Sequence, residues 1–257
     1  MCELLGLTSN KKIRMNELLE TFFSHSVQHP DGWGLALLDQ DPICIEKEPK
    51  KAADSSFLKE ILARDLETSR CLAHIRKGSI GHVCFNNCHP FLRNDETGRL
   101  WIQIHNGTIY DPRELTPYQS VQTGTTDSER VLLHIIDEIN KRHRQTHDTA
   151  DANVRIGILD RIVRSLAPGN KLNLMLYDGD CFYVHKNEPG TLYKREENGT
   201  VLFSTQPLEP AGWEDTPLNQ LMVYRDGALI YVGPKHDGTY IHDEEKLRQV
   251  YLAYSQL

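Results

Sequence analysis

The sequence lacks any apolar run that approaches the roughly 20 residues needed to span a bilayer. It also lacks the pattern of a secretory signal peptide, because Glu3 interrupts the first apolar stretch and Lys11 and Lys12 follow that stretch rather than precede it. These absences predict a cytoplasmic protein that does not enter a membrane. The six cysteines are then expected to be reduced thiols rather than structural disulfides.

The chain has no excess of positive charge. Its 36 acidic residues outnumber its 29 lysines and arginines, so the net charge is −7. This balance argues against binding to nucleic acid, because phosphate contacts need a positive protein surface. The basic cluster from Lys141 to Arg144 is predicted to be the solvated end of a helix, where cations suit the helix dipole.

The chain also lacks internal repeats, low-complexity tracts and long linkers. Nothing marks a domain boundary in its 257 residues, which are enough to bury a substantial core, so a single domain over residues 1–257 is expected. Apolar residues at helical spacing predict helices over residues 16–28, 54–67, 126–143, 152–169 and 243–257.

Short β-rich runs between these helices predict strands. They lie at residues 2–8, 32–38, 43–47, 71–77, 100–107, 172–186, 201–208 and 220–232, and the stretch between residues 78 and 98 is predicted to be a loop. Strands mixed with segregated helices indicate an α+β protein with layered antiparallel sheets.

The residue behind the initiator methionine is a cysteine, Cys2. One interpretation is that its thiol only fills a strand that begins the chain. Alternatively, removal of Met1 would make Cys2 the new N-terminus, and its own α-amine could then take the thiol proton. The remaining motifs bear on which of these two roles the residue has.

The segment CLAHIRKGS, residues 71–79, ends a predicted strand with an arginine. Alternate residues of a strand share a face, so His74 and Arg76 are predicted to point the same way. An arginine beside the Gly78-Ser79 turn is placed to grip a carboxylate with its two-pronged guanidinium. The alternative is a surface arginine in a structural ion pair.

The segment IQIHNG ends a second predicted strand at Asn106 and Gly107. A side-chain amide and a bare backbone N–H at one point suit an oxyanion hole, which needs fixed donors near a developing negative charge. The alternative is a tight turn, for which Asn-Gly is a common dipeptide.

Asp127 lies at the start of a strong predicted helix. As the N-cap it would accept a hydrogen bond from a free backbone N–H. If Thr125 or Thr126 is the cap instead, the Asp127 carboxylate could hold a substrate ammonium.

Two cysteines and two histidines cluster in HVCFNNCHP, which includes Cys84, Cys88 and His89. Three residues between the cysteines and interleaved histidines do not match common structural zinc patterns. A zinc module is therefore the weaker alternative, and no metal and no cofactor is predicted.

The order of the motifs is more specific than any one of them. Cys2 is followed by AHIR at residues 73–76, HPF at 89–91, HNG at 105–107 and TDSE at 126–129. This order resembles the glutaminase domain of the class II glutamine amidotransferases, which are N-terminal nucleophile hydrolases. The segment HPDGWGLAL, residues 29–37, resembles the stand-alone branch of that family, whereas RKGS at 76–79 replaces an aromatic-containing loop of many relatives.

The resemblance implies an α+β fold, a four-layer αββα sandwich of two antiparallel sheets. It also implies a site in which Cys2 is the nucleophile after Met1 removal. The implied roles of the other residues are as follows: Asn106 and Gly107 form the oxyanion hole, Arg76 binds the α-carboxylate, Asp127 holds the α-ammonium, Gly78 and Ser79 line the glutamine pocket, and His74, His89 and His105 position the pocket.

The reaction that the resemblance implies is cleavage of the side-chain amide of glutamine, or of a small γ-glutamyl compound, through a glutamyl thioester. If free glutamine is the substrate, a separate partner is implied, either an ammonia-using synthase or a peptidase subunit. The resemblance is also compatible with a homo-oligomer. The alternative is a catalytically silent relative that binds a glutamyl ligand or a protein.

Overall fold

The computed structural model describes residues 1–110 and 113–254, and there the backbone forms two antiparallel β-sheets. The strands of the first sheet are β1 (Glu3–Arg14), β2 (Trp33–Leu37), β3 (Cys44–Glu48), β4 (Glu67–Ile75), β9 (Tyr193–Glu197), β10 (Thr200–Ser204) and β11 (Glu214–Asp215). Those of the second are β5 (Phe91–Asn94), β6 (Leu100–Thr108), β7 (Lys171–Tyr177), β8 (Phe182–Lys186), β12 (Gln220–Arg225) and β13 (Ala228–Val232).

Strands that are remote along the chain are neighbours in the first sheet. Its spatial order is β11-β9-β10-β1-β4-β2-β3, which places the N-terminal strand at the centre. The second sheet has the order β13-β12-β8-β7-β6-β5. The central position of β1 fixes the residues around Cys2 between β4 and β10.

The described residues form five α-helices, of which α1 to α4 cover the outer faces of the sheets. They are α1 (Asn16–Ser24), α2 (Ser56–Leu62), α3 (Asp127–Thr146), α4 (Ala152–Leu166) and α5 (Glu244–Tyr254). The N-caps of α2, α3 and α4 are Ser55, Thr126 and Asp151, each accepting a hydrogen bond from a backbone N–H of the first turn.

Three buried clusters separate four layers. Leu19 and Phe22 of α1 pack on the outer face of the first sheet, and Ile135 of α3 packs on the outer face of the second. Between the sheets, Leu4 and Leu72 meet Ile104 and other apolar side chains. Complete burial of a side chain such as Phe22 stabilises the fold by roughly 1.5–3 kcal/mol. The α+β sandwich of two antiparallel sheets is thus confirmed.

Several of the predicted elements and boundaries were wrong. The strand predicted over residues 2–8 continues to Arg14, and β9 was not predicted. The helix predicted over residues 54–67 ends at Leu62, because the Asn16 side chain donates hydrogen bonds to the carbonyls of Leu62 and Arg64 and Glu67 begins β4. The predicted loop between residues 78 and 98 contains β5, which pairs with the edge of β6. The predicted C-terminal helix is observed to Tyr254, and residues 255–257 lie outside the described residues.

None of the helices in the described residues has both the length and the apolar character that crossing a membrane requires.

Candidate active site

Polar side chains replace apolar ones at one end of the core between the sheets. Because side chains of a strand alternate between its two faces, residues two apart share a face. Polar residues therefore lie on the same strand faces as the apolar residues between the sheets, which include Leu4, Leu72, Ile104 and Met175. These polar residues are Cys2 before β1, His74 and Arg76 at the end of β4, Asn106 on β6, and Lys171 and Asn173 on β7.

A cleft of about 480 Å³ opens at this end of the sandwich. It brings together four of the residues that the sequence singled out: Cys2, Ser79, Asn106 and Gly107. Arg76, Gly78 and Asp127 are not among its lining residues. Further lining residues include Met1, Lys77, Thr108, Tyr110, Lys171 and Tyr240.

Cys2 reaches the cleft because β1 and β4 pair with Glu3 opposite Ile75. This register brings the half-buried Cys2 thiol to the chain that follows β4, where Sγ donates a hydrogen bond to the carbonyl of Lys77 at 3.5 Å. Burial raises the pKa of the Cys2 thiol, and the positive charges of Arg76 and Lys171 oppose that rise.

Met1 also lines this cleft. Its sulfur lies 2.5 Å from Nζ of Lys171, although the two residues are 170 positions apart in sequence. Burial lowers the pKa of the Met1 α-amine, and the nearby charges of Lys77 and Lys171 lower it further. A terminal amine in this cleft is therefore less readily protonated than a free one.

Lys171 is a functional candidate that was missed at the level of sequence. Its side chain is almost fully buried and forms an ion pair with Glu188. Burial lowers the pKa of the Lys171 ammonium, whereas Glu188 raises it and so favours the charged form. Strand alternation could have identified it, because Lys171 lies on the same face of β7 as the inter-sheet residue Met175. The sequence, however, predicted that β7 begins one residue later, at residue 172.

Asn106 is within β6 rather than at a turn, so the tight-turn alternative is wrong. Its side chain is buried yet lines the cleft. Gly107 follows it, and a Cβ there would lie 2.1 Å from the carbonyl oxygen of Lys171 and 2.3 Å from Nε2 of His105. Glycine is therefore required at residue 107 by the close approach of β7.

The Gly107 N–H points away from β7. Its partner in the register is Leu172, whose own N–H is donated to Oδ1 of Asn187 on the other side of β7. Opposed residues of an antiparallel pair exchange either both hydrogen bonds or neither, so this pair exchanges none. On the outer side, β5 pairs with β6 only as far as Gln103. The Gly107 N–H is thus directed toward an edge where β5 has already ended.

Asp127 lies along this same edge. Thr126 is the N-cap of α3, which leaves the Asp127 carboxylate to other partners. Its Oδ2 accepts the N–H of Ile109 at 2.8 Å, and its Oδ1 accepts the N–H of Ser128. Because Ile109 is two residues beyond Gly107, their N–H groups face the same side, about 7 Å apart at the rise of an antiparallel strand.

Arg76 is buried at the end of β4. Its Nη2 donates to the carbonyls of Ile80 and Gly81, both at 2.9 Å, so one side of the guanidinium holds the following loop. Its Nη1 is buried and has no hydrogen-bond partner in the described part of the chain. A Cβ at residue 78 would lie 2.6 Å from Nη2, so Gly78 allows the loop to pass over the guanidinium.

The three histidines lie behind the cleft. The rings of His74 and His89 have centroids 4.0 Å apart, and burial lowers the pKa of each well below its ordinary value. His105 faces the helix layer instead. The carbonyl of Lys171 can only accept, so Nε2 of His105 donates to it, and Nδ1 accepts from the Ser128 hydroxyl. All three are thus placed as neutral supports rather than as cleft groups.

The cysteines of the weaker zinc alternative do not form a ligand set. Cys84 is exposed, whereas Cys88 is buried with its Sγ directed at the Cys84 carbonyl. Within residues 1–110 and 113–254, no group of three or more histidine, cysteine or acidic side chains is arranged to hold a metal ion.

Comparison with known proteins adds an independent finding. A family model described as "Glutamine amidotransferases class-II" matches residues 1–195. An uncharacterized protein of Methanocaldococcus jannaschii is 27% identical over 260 residues, which cover 90% of this chain and 71% of the relative. The Escherichia coli protein named "Putative glutamine amidotransferase YafJ" is 28% identical over 192 residues, covering 70% of each chain.

Solved structures share the fold. The crystal structure of a predicted glutamine amidotransferase from Pseudomonas aeruginosa has a TM-score of 0.61 at 19% identity, and the match covers 90% of this chain and all of that one. Glutamine phosphoribosylpyrophosphate amidotransferase from Bacillus subtilis has a TM-score of 0.65 at 14% identity, covering 89% of this chain and 48% of that one.

Proposed function

This chain belongs to the class II glutamine amidotransferases, and on that premise we propose that it hydrolyses the side-chain amide of glutamine or of a small γ-glutamyl compound. Cys2 is the nucleophile once Met1 has been removed. The observation that carries the proposal is the shared cleft, in which the Cys2 thiol, the Asn106 side chain and the Gly107 backbone converge from two different sheets.

The α-amine of Cys2 is the base. It takes the thiol proton, directly or through water, and the thiolate attacks the amide carbon. The charges of Lys77 and Lys171, which lower the pKa of the Met1 amine, would act in the same sense on an amine one residue further along. A lower pKa favours the unprotonated amine, which is the form that accepts the thiol proton.

Asn106 and Gly107 stabilise the negative oxygen that forms during the attack. The Gly107 N–H faces the open edge of β6, and the Asn106 amide lines the cleft, so both donors are fixed before the reaction. Fixed donors of this kind are worth about 3–4 kcal/mol each in comparable oxyanion holes. The amine then returns its proton to the leaving nitrogen, and water hydrolyses the glutamyl thioester.

Arg76 and Asp127 hold the other end of the glutamyl group. The unpartnered Nη1 of Arg76 is available to an α-carboxylate, and the Asp127 carboxylate has lone pairs left to accept an α-ammonium. The spacing of about 7 Å between the N–H groups of Gly107 and Ile109 suits a substrate that spans from its side-chain carbonyl to its α-ammonium. Ser79, whose hydroxyl lies 3.2 Å from that of Thr108, lines the space between them.

The proposal is tested by incubating the purified protein with glutamine and with γ-glutamyl amides and measuring glutamate release. Release from either substrate by the protein alone supports it. Release from glutamine only after a second protein is added identifies an amidotransferase subunit that passes ammonia to that partner. Absence of release from every substrate, with and without cell extract, would favour the silent relative.

Replacing Asn106 by alanine is expected to lower kcat by about 10²–10³-fold with little change in KM, because the lost donor acts on charge that develops only in the transition state. Steady-state kinetics with the best substrate measures this. Asn94→Ala is the matched control, since Asn94 is an exposed asparagine on β5 whose amide donates to the carbonyl of Gly98. A wild-type rate for Asn106→Ala would show that the oxyanion donors lie elsewhere.

Replacing Arg76 by alanine is expected to raise KM about 10- to 100-fold, which corresponds to a hydrogen bond to a charged group worth roughly 1.5–3 kcal/mol. Arg76 also holds the loop at Ile80 and Gly81, so a general loss of order could raise KM as well.

A substrate analogue without the α-carboxylate separates the two explanations. The wild type should discriminate against the analogue, and Arg76→Ala should lose that discrimination. Arg70→Ala, on the same strand and paired with Asp226, is the control and should discriminate as the wild type does. If Arg76→Ala still discriminates fully, Arg76 does not bind the carboxylate.

A further inference from the structure

The cleft has a wall that the family model does not include. Residues 233–250 follow β13 and lie outside the matched residues 1–195. This C-terminal segment returns to the end of the sandwich that carries Cys2. Three of its residues, Tyr240, His242 and Leu247, line the same cleft as Cys2 and Asn106.

The segment is attached to the second sheet by specific hydrogen bonds. The backbone N–H of Tyr240 donates to the carbonyl of Asn187 at 2.7 Å, and the side chain of Asn187 donates to the carbonyl of Gly238 at 2.8 Å. Asn187 is fully buried and also accepts the N–H of Leu172 on β7. Asn187 therefore links the segment to β7, the strand that begins with Lys171.

Tyr240 makes the contact that closes the wall. Its ring stacks on that of Tyr110 with centroids 5.9 Å apart and an interplanar angle of 8°, and the two hydroxyls are 2.9 Å apart. Tyr240 is only 5% exposed, whereas Tyr110 is half-buried, so the stacked pair lies at the border between the interior and the cleft. Tyr110 lies just beyond β6 and lines the cleft, so the pair joins the C-terminal segment to the strand that carries Asn106 and Gly107.

Resting on the proposed function, we propose that residues 233–250 limit the size of the amide that reaches Cys2, and that Tyr240 is the specificity-determining residue of this wall. The substrate class that fits is a γ-glutamyl amide with a small leaving amine. Amides of bulky aromatic amines are excluded by the ring of Tyr240 rather than by the reacting groups.

The first test compares glutamine with γ-glutamyl-p-nitroanilide in the wild type and in Tyr240→Ala. The ratio of kcat/KM for the anilide to that for glutamine is expected to rise at least about 10-fold, the scale on which pocket size discriminates between substrates. Ile241→Ala is the control, because Ile241 is the next residue and is 82% exposed. An unchanged ratio in Tyr240→Ala would overturn the proposal.

The second test does not need catalysis. Alkylation of Cys2 by iodoacetamide and by a bulky fluorescein maleimide is followed by peptide mapping, with exposed Cys84 as an internal reference in the same chain. In Tyr240→Ala, the rate at which the bulky reagent alkylates Cys2 should rise far more than the rate for the small reagent. The alkylation rate of Cys84 should stay unchanged. Equal acceleration of both reagents, or none, would contradict a size-limiting wall.

The two tests keep this proposal distinct from the proposed function. If the wild type releases no glutamate, the hydrolase proposal fails, while the alkylation rates still decide whether the wall limits access. If melting curves show that Tyr240→Ala is unfolded, the double variant His242→Ala/Leu247→Ala opens the same wall at its rim. That variant is expected to accelerate bulky alkylation of Cys2 as well, and wild-type rates would overturn the wall.

Discussion

Replacing Cys2 by alanine is expected to abolish glutamate release. Loss of a catalytic nucleophile has cost on the order of 10⁶-fold in kcat in a well-studied hydrolase, which is below detection in an ordinary assay. The mechanism has no second route, because the thioester can form only on a thiol that lines the cleft. The other cleft-lining residues of the described chain, among them Lys171 and Tyr110, supply no thiol.

The same substitution should leave the fold intact. The Cys2 thiol is half-buried and makes one weak hydrogen bond, to the carbonyl of Lys77, so its removal resembles a surface change of about 0.5 kcal/mol or less. Thermal melting checks this. Cys84→Ala is the matched control, since it removes an exposed thiol from the same protein, and it should retain full activity. A Cys2→Ala protein that still releases glutamate would refute the nucleophile assignment.

Retention of a residue before Cys2 is expected to lower activity by about 10²–10⁴-fold, the contribution of a general base. An amide nitrogen at this position is neutral and cannot accept the thiol proton. Met1 also lines the cleft and contacts Nζ of Lys171, so we expect a preceding residue to obstruct the substrate as well. The active protein should therefore lack Met1 when its intact mass is measured.

One preparation can supply both forms. The protein is produced with an N-terminal extension that ends in a protease site directly before Cys2, and it is assayed before and after cleavage. Cleavage should restore activity, and reaction with a glutamine-like electrophile should then label Cys2. The acid limb of the pH–rate profile should follow the pKa of the new α-amine. That pKa is about 7.7–8.0 for a free amine, and the charges of Lys77 and Lys171 are expected to lower it. Full activity before cleavage would exclude the amine as the base.

Most of the helices and the order of the motifs could be predicted from the sequence. Apolar spacing predicted α1, α3 and α4 because a helix must bury one face, and Thr126 and Asp151 begin their helices because their side chains satisfy free N–H groups. The same reasoning placed His74 and Arg76 on one face of β4 through strand alternation. The four-layer fold followed from the motif order through family resemblance.

Contacts between distant side chains could not be predicted and became known from the three-dimensional structure. Lys171 contacts Met1 across 170 residues, and Tyr240 stacks on Tyr110 across 130. Such contacts depend on the order of strands in each sheet and on how the two sheets face each other. Neither feature can be predicted from the spacing of apolar residues within a short segment. The loop bonds of Arg76 and the free edge at Gly107 arise for the same reason, because strand register sets which backbone groups remain unpaired.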